Sequence, residues 1–216
     1  MQILAHDEYL ALRTDARVLT RDHFGDKVLA LADGTILKLF RRKRLISSAA
    51  WYPYAQRFAD NALALAARRI PCPEVTDVYR LPSVRREAVR YRPLAGETLR
   101  EFVRDCVGAT ELRARLGRFV AGLHDSGVYF RSMHLGNILL VADGEFGLID
   151  IADLRVGRRP LSAFRRRRNL RHLVRYAEDR DWLRPAGDDA FDEAYRQHAV
   201  GSRRWLKSPL RERPSP

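Results

Sequence analysis

Two side chains with hard oxygen ligands stand at the two ends of a short predicted hairpin. Asn137 precedes the first apolar run, residues 138–141, and Asp150 follows the second, residues 146–149. An Asp-Gly turn joins the two runs, so the chain would return Asp150 to the neighbourhood of Asn137. An amide oxygen and a carboxylate on adjacent loops suit Mg²⁺, which prefers a few hard oxygen ligands beside waters and phosphates. The spacing therefore predicts that Asn137 and Asp150 bind a magnesium ion.

The residues before Asn137 follow the catalytic-loop pattern of kinases, H-R-D-L-x-x-x-N, with a change at its most important position. Arg131 matches the arginine, whereas Phe130 replaces the histidine and Ser132 replaces the catalytic aspartate. A serine cannot accept a hydroxyl proton at neutral pH without a base to activate it. His134 lies two residues later and carries the side chain best suited to proton transfer at neutral pH. We therefore take Ser132 and His134, together with Asp150, as the candidate catalytic residues.

Each of these residues also has a purely structural interpretation. Asn137 could cap a turn, Asp150 could end a strand, and the His134 ring could hold the loop by hydrogen bonds. Asp153, a second carboxylate near Asp150, could equally cap a turn or a helix. The order of the residues along the chain favours the metal site, because a motif is supported by its context.

Lys38 is the candidate phosphate-binding residue of the N-terminal half. It ends the segment Thr35-Ile36-Leu37-Lys38, which resembles the V-A-I-K strand whose lysine contacts the α- and β-phosphates of a bound nucleotide. The alternative is a solvated lysine at the end of a strand. No glutamate occurs between residues 9 and 73, so the expected pairing with a helix carboxylate is absent or polar. The predicted helix can offer only Gln56, Asp60 and Asn61.

The elements that must position these residues fall into two groups. An Asp-Gly turn between apolar runs predicts a β-hairpin over residues 28–40, and Pro53 suits the first turn of a helix through about Arg69. Residues 75–89 suggest two further strands, and the Pro- and Gly-containing segment 91–96 suits a hinge. This predicts an N-lobe over residues 1–92.

The C-terminal group is predicted to be mostly helical and basic. Thr98 is expected to cap a short helix through Cys106, and Thr110 a second helix with an apolar residue every three or four positions. The sequence predicts a C-lobe over residues 93–207 and a disordered tail over residues 208–216. Arginines concentrate after the hairpin, at Arg165, Arg166, Arg167, Arg168, Arg171 and Arg175.

The composition of the chain limits the classes of partner that it is expected to bind. The 216 residues are 46% hydrophobic, enough to bury a core, and 40 Lys+Arg against 27 Asp+Glu give a net charge of +13. This charge favours a polyanionic partner such as a nucleotide, a phosphorylated sugar or an anionic membrane surface. Cys72 and Cys106 are too few for a disulfide framework and are expected to be reduced. The sequence shows no signal peptide or apolar run of membrane-spanning length, which predicts a cytoplasmic protein, with attachment to the inner-membrane surface left open.

Taken together, the chain resembles the protein-kinase-like lipopolysaccharide core kinases of Gram-negative bacteria, the Kdo and heptose kinases. Within them it most resembles the small toluene-tolerance proteins of proteobacteria. The resemblance runs from about residue 15 to about residue 180 and is carried by residues 33–43, 53–58, 70–71, 132–137 and 148–153. It implies an α+β, two-lobed protein-kinase-like fold with a small antiparallel β N-lobe containing one helix and a mostly helical C-lobe. It also implies ATP and Mg²⁺ as cofactors, and a sugar hydroxyl of the lipopolysaccharide inner core, or another phosphorylated glycolipid, as acceptor.

Two other functions stay open at this point. Because Ser132 replaces the catalytic aspartate, the chain could be a pseudokinase that keeps the fold but serves as a regulatory or binding module. The net charge of +13 could indicate a nucleic-acid-binding protein, but the basic residues are scattered and no aromatic-basic motif accompanies them. Nucleic acid is therefore the less favoured partner, and the sequence does not indicate an oligomeric state.

Overall fold

The computed structural model describes residues 1–23, 25–41, 52–104 and 109–200, which form two compact units. The first unit contains Met1–Leu94 and, from much later in the chain, Asp150–Asp153. The second contains Ala95–Ile149 and the described residues from Leu154 onward. The Cys106 position and the predicted tail over residues 208–216 lie outside the described residues.

The first unit is built around a six-stranded sheet with the strand order β1-β5-β6-β4-β3-β2. Its neighbours pair antiparallel, except that the edge strand β1 runs parallel to β5. The strands are β1 (Gln2–Ile3), β2 (Arg17–Asp22), β3 (Gly25–Ala30), β4 (Ile36–Arg41), β5 (Glu74–Leu81) and β6 (Arg86–Arg92).

The predicted hairpin over residues 28–40 is confirmed as β3 and β4. Gly34 takes a φ of +81° in the turn, a conformation that glycine adopts without steric cost. Leu37 and Leu39 of β4 are buried on one face of the sheet in a cluster with Leu29 and Tyr9. Because side chains alternate along a strand, Lys38 points to the opposite face.

Among the described residues of this unit, two helices accompany the sheet, one more than the sequence predicted. Helix α1 (His6–Thr14) buries only Tyr9 fully, so its sequence carries too short an apolar stripe to be recognised as a helix. Helix α2 (Tyr54–Ala66) is the predicted one and begins directly after Pro53. It ends before Arg69, which adopts a left-handed φ of 56° that a helix interior cannot contain.

The second unit is mostly helical, with two small sheets. Strands β7, β9 and β10 form one antiparallel sheet, and β8 pairs with β11 in the other. The chain therefore has the predicted α+β organisation. Its elements are β7 (Glu97–Thr98), α3 (Leu99–Arg104), α4 (Thr110–Asp125), β8 (Val128–Phe130), a 3₁₀ turn (Leu135–Asn137), β9 (Ile138–Leu140), β10 (Phe146–Leu148), β11 (Leu154–Val156), α5 (Ala163–Leu173), α6 (Ala177–Leu183) and α7 (Ala190–His198).

Of the two threonine caps that the sequence predicted, one is confirmed and one is wrong. Thr98 Oγ1 accepts a hydrogen bond from the Glu101 backbone at 3.2 Å, and Glu101 accepts one from the Thr98 hydroxyl at 2.6 Å. Thr110 instead lies inside α4, and its hydroxyl donates to Asp188 at 2.7 Å. The prediction failed because a partner 78 residues away competes for the hydroxyl.

A buried histidine joins α4 to the helices that follow. His124 is fully buried, with its Nδ1 2.7 Å from the Tyr195 hydroxyl and its Nε2 3.2 Å from Asn169 Oδ1. Burial, reinforced by the nearby positive charge of Arg166, lowers the pKa of His124 to about 3. The ring is therefore neutral at physiological pH and serves as a polar connection within the core.

The arginine run divides into one buried and three exposed side chains. Arg166 is only 1% exposed and donates to Asp125 at 2.6 Å and to the Leu161 carbonyl at 2.8 Å. Arg165, Arg167 and Arg168 are exposed on α5. Helix α5 ends at Leu173, so it carries Arg165–Arg168 and Arg171 but not Arg175.

No helix among the described residues has the length and apolarity needed to span a bilayer. Cys72 carries a free thiol, as predicted, and burial raises its pKa to about 11.

Candidate functional site

The first unit brings together two of the predicted site residues. The Lys38 Nζ lies 2.6 Å from the Asp150 Oδ1, although 112 residues separate the two in the chain. The Lys38 side chain is 11% exposed, whereas that of Asp150 is 52% exposed. A buried ammonium thus neutralises a carboxylate whose other side remains open to solvent.

The central position of β4 holds Lys38. It pairs with Val28 of β3 on one side and with Val89 of β6 on the other, so its backbone is fixed by both neighbours. Its Nζ lies 5.8 Å from the centre of the Phe40 ring, a distance at which a cation is attracted by the ring face. This environment restricts the ammonium to one side of the sheet.

Aromatic rings continue from Phe40 on the same side of the sheet. The Phe58 ring of α2 lies 6.4 Å from the Phe40 ring and 5.1 Å from the Tyr91 ring, measured between centroids. Burial raises the pKa of the Tyr91 hydroxyl, and the negative charge of Asp150 raises it further. The rings give the lysine and the carboxylate an apolar border.

Asp150 itself has an unusual backbone. Its φ is +53°, in the left-handed region that non-glycine residues rarely adopt, and asparagine and aspartate adopt it more readily than most others. A 3₁₀ turn, Ile151–Asp153, follows directly. The buried Asn61 of α2 donates from its Nδ2 to the Ile151 carbonyl at 2.7 Å, which fixes this turn against the helix.

The helix residues that the sequence offered as partners for Lys38 make other contacts. Asn61 binds the turn after Asp150, and Asp60 accepts hydrogen bonds from Gln56 at 2.9 Å and from the Tyr52 hydroxyl at 2.5 Å. The ionic partner of Lys38 is instead Asp150. Helix α2 therefore contacts the turn after Asp150 through the neutral amide of Asn61, and Lys38 pairs with Asp150 rather than with a carboxylate of this helix.

The second unit contains the catalytic-loop residues. The Asn137 Nδ2 donates to the Ser132 carbonyl at 2.9 Å, and the Asn137 backbone N–H donates to the His134 carbonyl at 2.9 Å. The Ile149 N–H donates to the Asn137 carbonyl at 3.1 Å, as the last bond of the β9–β10 hairpin. The hairpin thus returns the residue before Asp150 to Asn137, which is the local geometry that the spacing predicted.

His134 is held by an aromatic contact. Its ring meets the Tyr176 ring edge to face, at 5.1 Å between centroids. A Cβ at position 136 would lie 3.2 Å from the His134 Nδ1, so Gly136 leaves room for the ring above its own loop. Ser132 is half-buried in the same loop, and Arg131 is exposed.

Sequence reasoning missed a buried carboxylate that supports this loop. Asp179 of α6 has a side chain that is 0% exposed and accepts the Leu135 backbone N–H at 3.0 Å. Arg100 donates to both of its oxygens, at 2.9 and 2.8 Å, and its guanidinium lies 4.5 Å from the centre of the Tyr176 ring. No local signal could have indicated this, because Asp179 follows the loop by 44 residues and its own neighbours are exposed.

Asn137 of the second unit and Asp150 of the first unit each carry a donor atom of a kind that binds Mg²⁺. Because the Asn137 nitrogen is engaged by Ser132, the amide oxygen is the atom left to bind a cation. Asp150 uses one oxygen for Lys38 and is half exposed, so its second oxygen is accessible. Both are hard oxygen ligands of the kind that Mg²⁺ prefers.

The chain has the organisation of the protein-kinase-like fold. A β-sheet unit with a lysine on an inner strand is followed by a mostly helical unit that contains an asparagine-bearing loop and a hairpin. Among solved structures, the chain is similar to WaaP in complex with acyl carrier protein, with a TM-score of 0.57 and 16% identity over 88% of this chain and 82% of that one. WbdD, in a co-crystal with a kinase inhibitor, gives a TM-score of 0.38 and 14% identity over 61% of this chain and 30% of that one. The likeness to WaaP establishes the predicted protein-kinase-like fold, and the closer resemblance to toluene-tolerance proteins stays a prediction. No protein-family model and no curated protein matches the sequence.

Proposed function

We propose that the chain is an ATP-dependent phosphotransferase that uses Mg²⁺ and phosphorylates a sugar hydroxyl of the lipopolysaccharide inner core. The observation that carries the proposal is the 2.6 Å pair between Lys38 and Asp150. An ammonium and a half-exposed carboxylate at an aromatic-bordered position are the groups that phosphoryl transfer requires, since it needs cations to neutralise phosphates and a fixed metal ligand. The left-handed φ of Asp150 adds support, because strained backbone occurs preferentially at functional sites.

In this proposal Lys38 and the metal ligands bind the donor. Lys38, whose ammonium is held 2.6 Å from Asp150, would bind the α- and β-phosphates of ATP. Asn137 and Asp150 hold the metal, and the hydrogen bond from Asn137 to the Ser132 carbonyl keeps the amide oriented. Magnesium supplies, when bound, charge neutralisation at the phosphate oxygens.

His134 is the proposed acceptor of the hydroxyl proton. It lies two residues after Ser132, the position of the usual catalytic aspartate, and its contact with Tyr176 fixes the plane of its ring. Ser132 contributes its carbonyl to the orientation of Asn137, and its hydroxyl is proposed to orient the acceptor. General-base catalysis typically contributes about 10²- to 10⁴-fold, so a weaker base slows the reaction without abolishing it.

The proposed acceptor class rests on chemistry and resemblance. The chain carries a net charge of +13, which favours an acceptor that already bears phosphates. Arginine forks bind phosphate oxygens in pairs, and four arginines follow one another at Arg165–Arg168, of which three are exposed. The likeness to WaaP supports the kinase-like scaffold on which such an acceptor would be phosphorylated.

Nucleotide binding tests the donor side of the proposal. Wild-type protein is expected to gain thermal stability from ATP with Mg²⁺, and Lys38→Ala and Asp150→Asn are each expected to lose that gain. Lys27→Ala is the matched control, because Lys27 is exposed on the neighbouring strand β3. Wild-type protein that shows no magnesium-dependent shift, or a Lys27→Ala variant that loses it equally, would contradict the assignment.

A pseudokinase is the second candidate, and Ser132 favours it. With serine at the aspartate position and the His134 ring packed on Tyr176, the loop could serve binding without transfer. Incorporation of labelled phosphate into core oligosaccharide separates the two. Transfer by the wild type that falls about 10²-fold or more in His134→Ala supports the kinase with His134 as base. Nucleotide binding without any transfer supports the pseudokinase.

A further inference from the structure

A basic groove lies in the second unit, where β8 and β11 meet the first turns of α5. It has a volume of about 420 Å³, within the range of ligand-binding clefts. Its lining combines arginines with apolar and aromatic side chains and contains no acidic residue. The lining residues are Gly127, Tyr129, Arg155, Val156, Gly157, Leu161, Phe164, Arg165 and Arg168.

The floor of the groove is fixed by close backbone contacts. Gly127 has a φ of +79°, and a Cβ there would lie 2.5 Å from the Gly157 carbonyl oxygen. The Gly157 N–H donates to the Gly127 carbonyl at 2.9 Å, and the Leu161 N–H donates to the His124 carbonyl at 2.8 Å. The two chain segments therefore cannot separate without breaking these two backbone hydrogen bonds.

The buried Arg166 fixes the helix that forms one wall. Its bonds to Asp125 and to the Leu161 carbonyl tie α5 to the end of α4. The neighbouring Arg165 and Arg168, at helical spacing of three, then face the groove. This wall carries the guanidinium groups of Arg165 and Arg168, and the contacts of Arg166 fix the helix backbone from which they extend.

The charge of the groove is not neutralised by the part of the chain that the structure describes. Within that part, no carboxylate lies within ion-pair distance of Arg155, Arg165 or Arg168. The sequence after residue 200 is itself basic, with four arginines and one lysine against a single glutamate, Glu212. An external anion is thus the complementary partner, and guanidinium forks match phosphate oxygens best.

An exposed aromatic ring favours a membrane over a soluble phosphate as the partner of this groove. Phe164 lines the groove and is 73% exposed, an arrangement that leaves a large apolar side chain in water. Aromatic side chains beside clustered arginines are typical of surfaces that insert into the headgroup region of a bilayer. Further exposed arginines, Arg158 and Arg159, follow in the loop after β11 and widen the basic surface.

We propose that this groove and the exposed face of α5 dock on an anionic phospholipid membrane, with a lipid phosphate between Arg155, Arg165 and Arg168 and Phe164 inserted among the headgroups. The proposal does not depend on phosphoryl transfer, because a pseudokinase with this groove would bind the same surface. It places the protein at a membrane surface, where it would encounter glycolipids as they are assembled.

Co-sedimentation with vesicles tests the proposal on the full chain. Wild-type protein is expected to bind vesicles of phosphatidylcholine with phosphatidylglycerol, and to bind pure phosphatidylcholine far more weakly. Changing Arg155, Arg165 and Arg168 together to glutamine is expected to weaken binding roughly 100-fold. The matched control changes three exposed arginines of the first unit to glutamine, with the same loss of charge: Arg17, Arg80 and Arg85.

Two further arms distinguish docking on a bilayer from capture of a free phosphate and from attraction by net charge alone. Phe164→Ala is expected to weaken vesicle binding about tenfold although it removes no charge. Glycerol phosphate in solution is expected not to displace the protein from vesicles. The proposal would be overturned if the control variant lost vesicle binding as strongly as the groove variant, or if wild-type protein bound equally well with and without phosphatidylglycerol. It would also be overturned if Phe164→Ala bound vesicles as tightly as the wild type and glycerol phosphate displaced it. Nucleotide-induced stabilisation, measured in parallel, is expected to stay intact in all these variants.

Discussion

Replacing Asp179 by alanine is expected to destabilise the protein by about 3–5 kcal/mol, because it breaks an ion pair with a fully buried carboxylate and removes the acceptor of a buried backbone N–H. Asp179 is 0% exposed and accepts three hydrogen bonds, two from Arg100 and one from the Leu135 N–H. The variant leaves the Leu135 N–H in the catalytic loop without its acceptor, and it leaves the Arg100 guanidinium, which is only 24% exposed, with the exposed Glu178 as its remaining carboxylate. For a chain of this length, each kcal/mol corresponds to about 2–4 °C, so the melting temperature should fall by about 6–20 °C.

Two related variants test the origin of this loss. Asp179→Asn keeps an acceptor for Leu135 but removes the charge, and should cost about 1.5–3 kcal/mol. Glu178→Gln is the matched control: Glu178 contacts the same Arg100 at 3.0 Å, but its side chain is 59% exposed, so the loss should stay below about 1 kcal/mol.

Guanidinium unfolding followed by circular dichroism measures all three variants, and nucleotide-induced stabilisation shows whether the loop is displaced. Similar losses for Asp179→Ala and Glu178→Gln, or a loss under about 1 kcal/mol for Asp179→Ala, would refute the idea that burial decides the strength of these pairs.

Three other predictions concern contacts inside the two units. Since His124 has a pKa of about 3 in the folded state against 6.5 ordinarily, the unfolded chain binds one more proton between these values, and stability should fall as the pH drops from about 6.5 to about 3. His124→Gln should lower that slope by about one proton per molecule in pH-dependent denaturation, and an unchanged slope would contradict the neutral buried ring. Gly127→Ala should destabilise the protein by about 1–3 kcal/mol more than Gly187→Ala, since both have a φ of +79° but only the former meets a backbone oxygen; equal melting temperatures would contradict the clash. Asn61→Ala should cost about 1–3 kcal/mol by leaving the Ile151 carbonyl without its donor, and a neutral result in thermal unfolding would show that this bond does not hold the turn.

The sequence predicted the elements that depend on local signals. The β3–β4 hairpin follows from an Asp-Gly turn between apolar runs, and α2 begins directly after Pro53, where a fixed φ and a missing N–H do no harm. The loop before Asn137 could be recognised from the spacing of a few residues. Helix α1 was missed because it buries one residue fully and therefore has almost no periodic pattern.

Contacts between distant residues could not be predicted in the same way. The approach of Lys38 to Asp150 was expected from the kinase-like order of the motifs and not from local composition, and that of Asp179 to Leu135 is indicated by neither, since the partners are 112 and 44 residues apart. The arginine run shows the same limit within one helix. Its members are identical in sequence, yet Arg166 is buried and ties α5 to Asp125 while its neighbours are exposed.

The left-handed backbone at Asp150 has a consequence for engineering. Glycine adopts a φ of +53° without steric cost, whereas aspartate adopts it against its usual preference. Asp150→Gly would relieve that conformation but would also leave the Lys38 ammonium, which is 11% exposed, without its carboxylate. A library at this codon sorted for heat resistance should therefore keep the acidic residue, and only in a Lys38→Met background should it favour glycine.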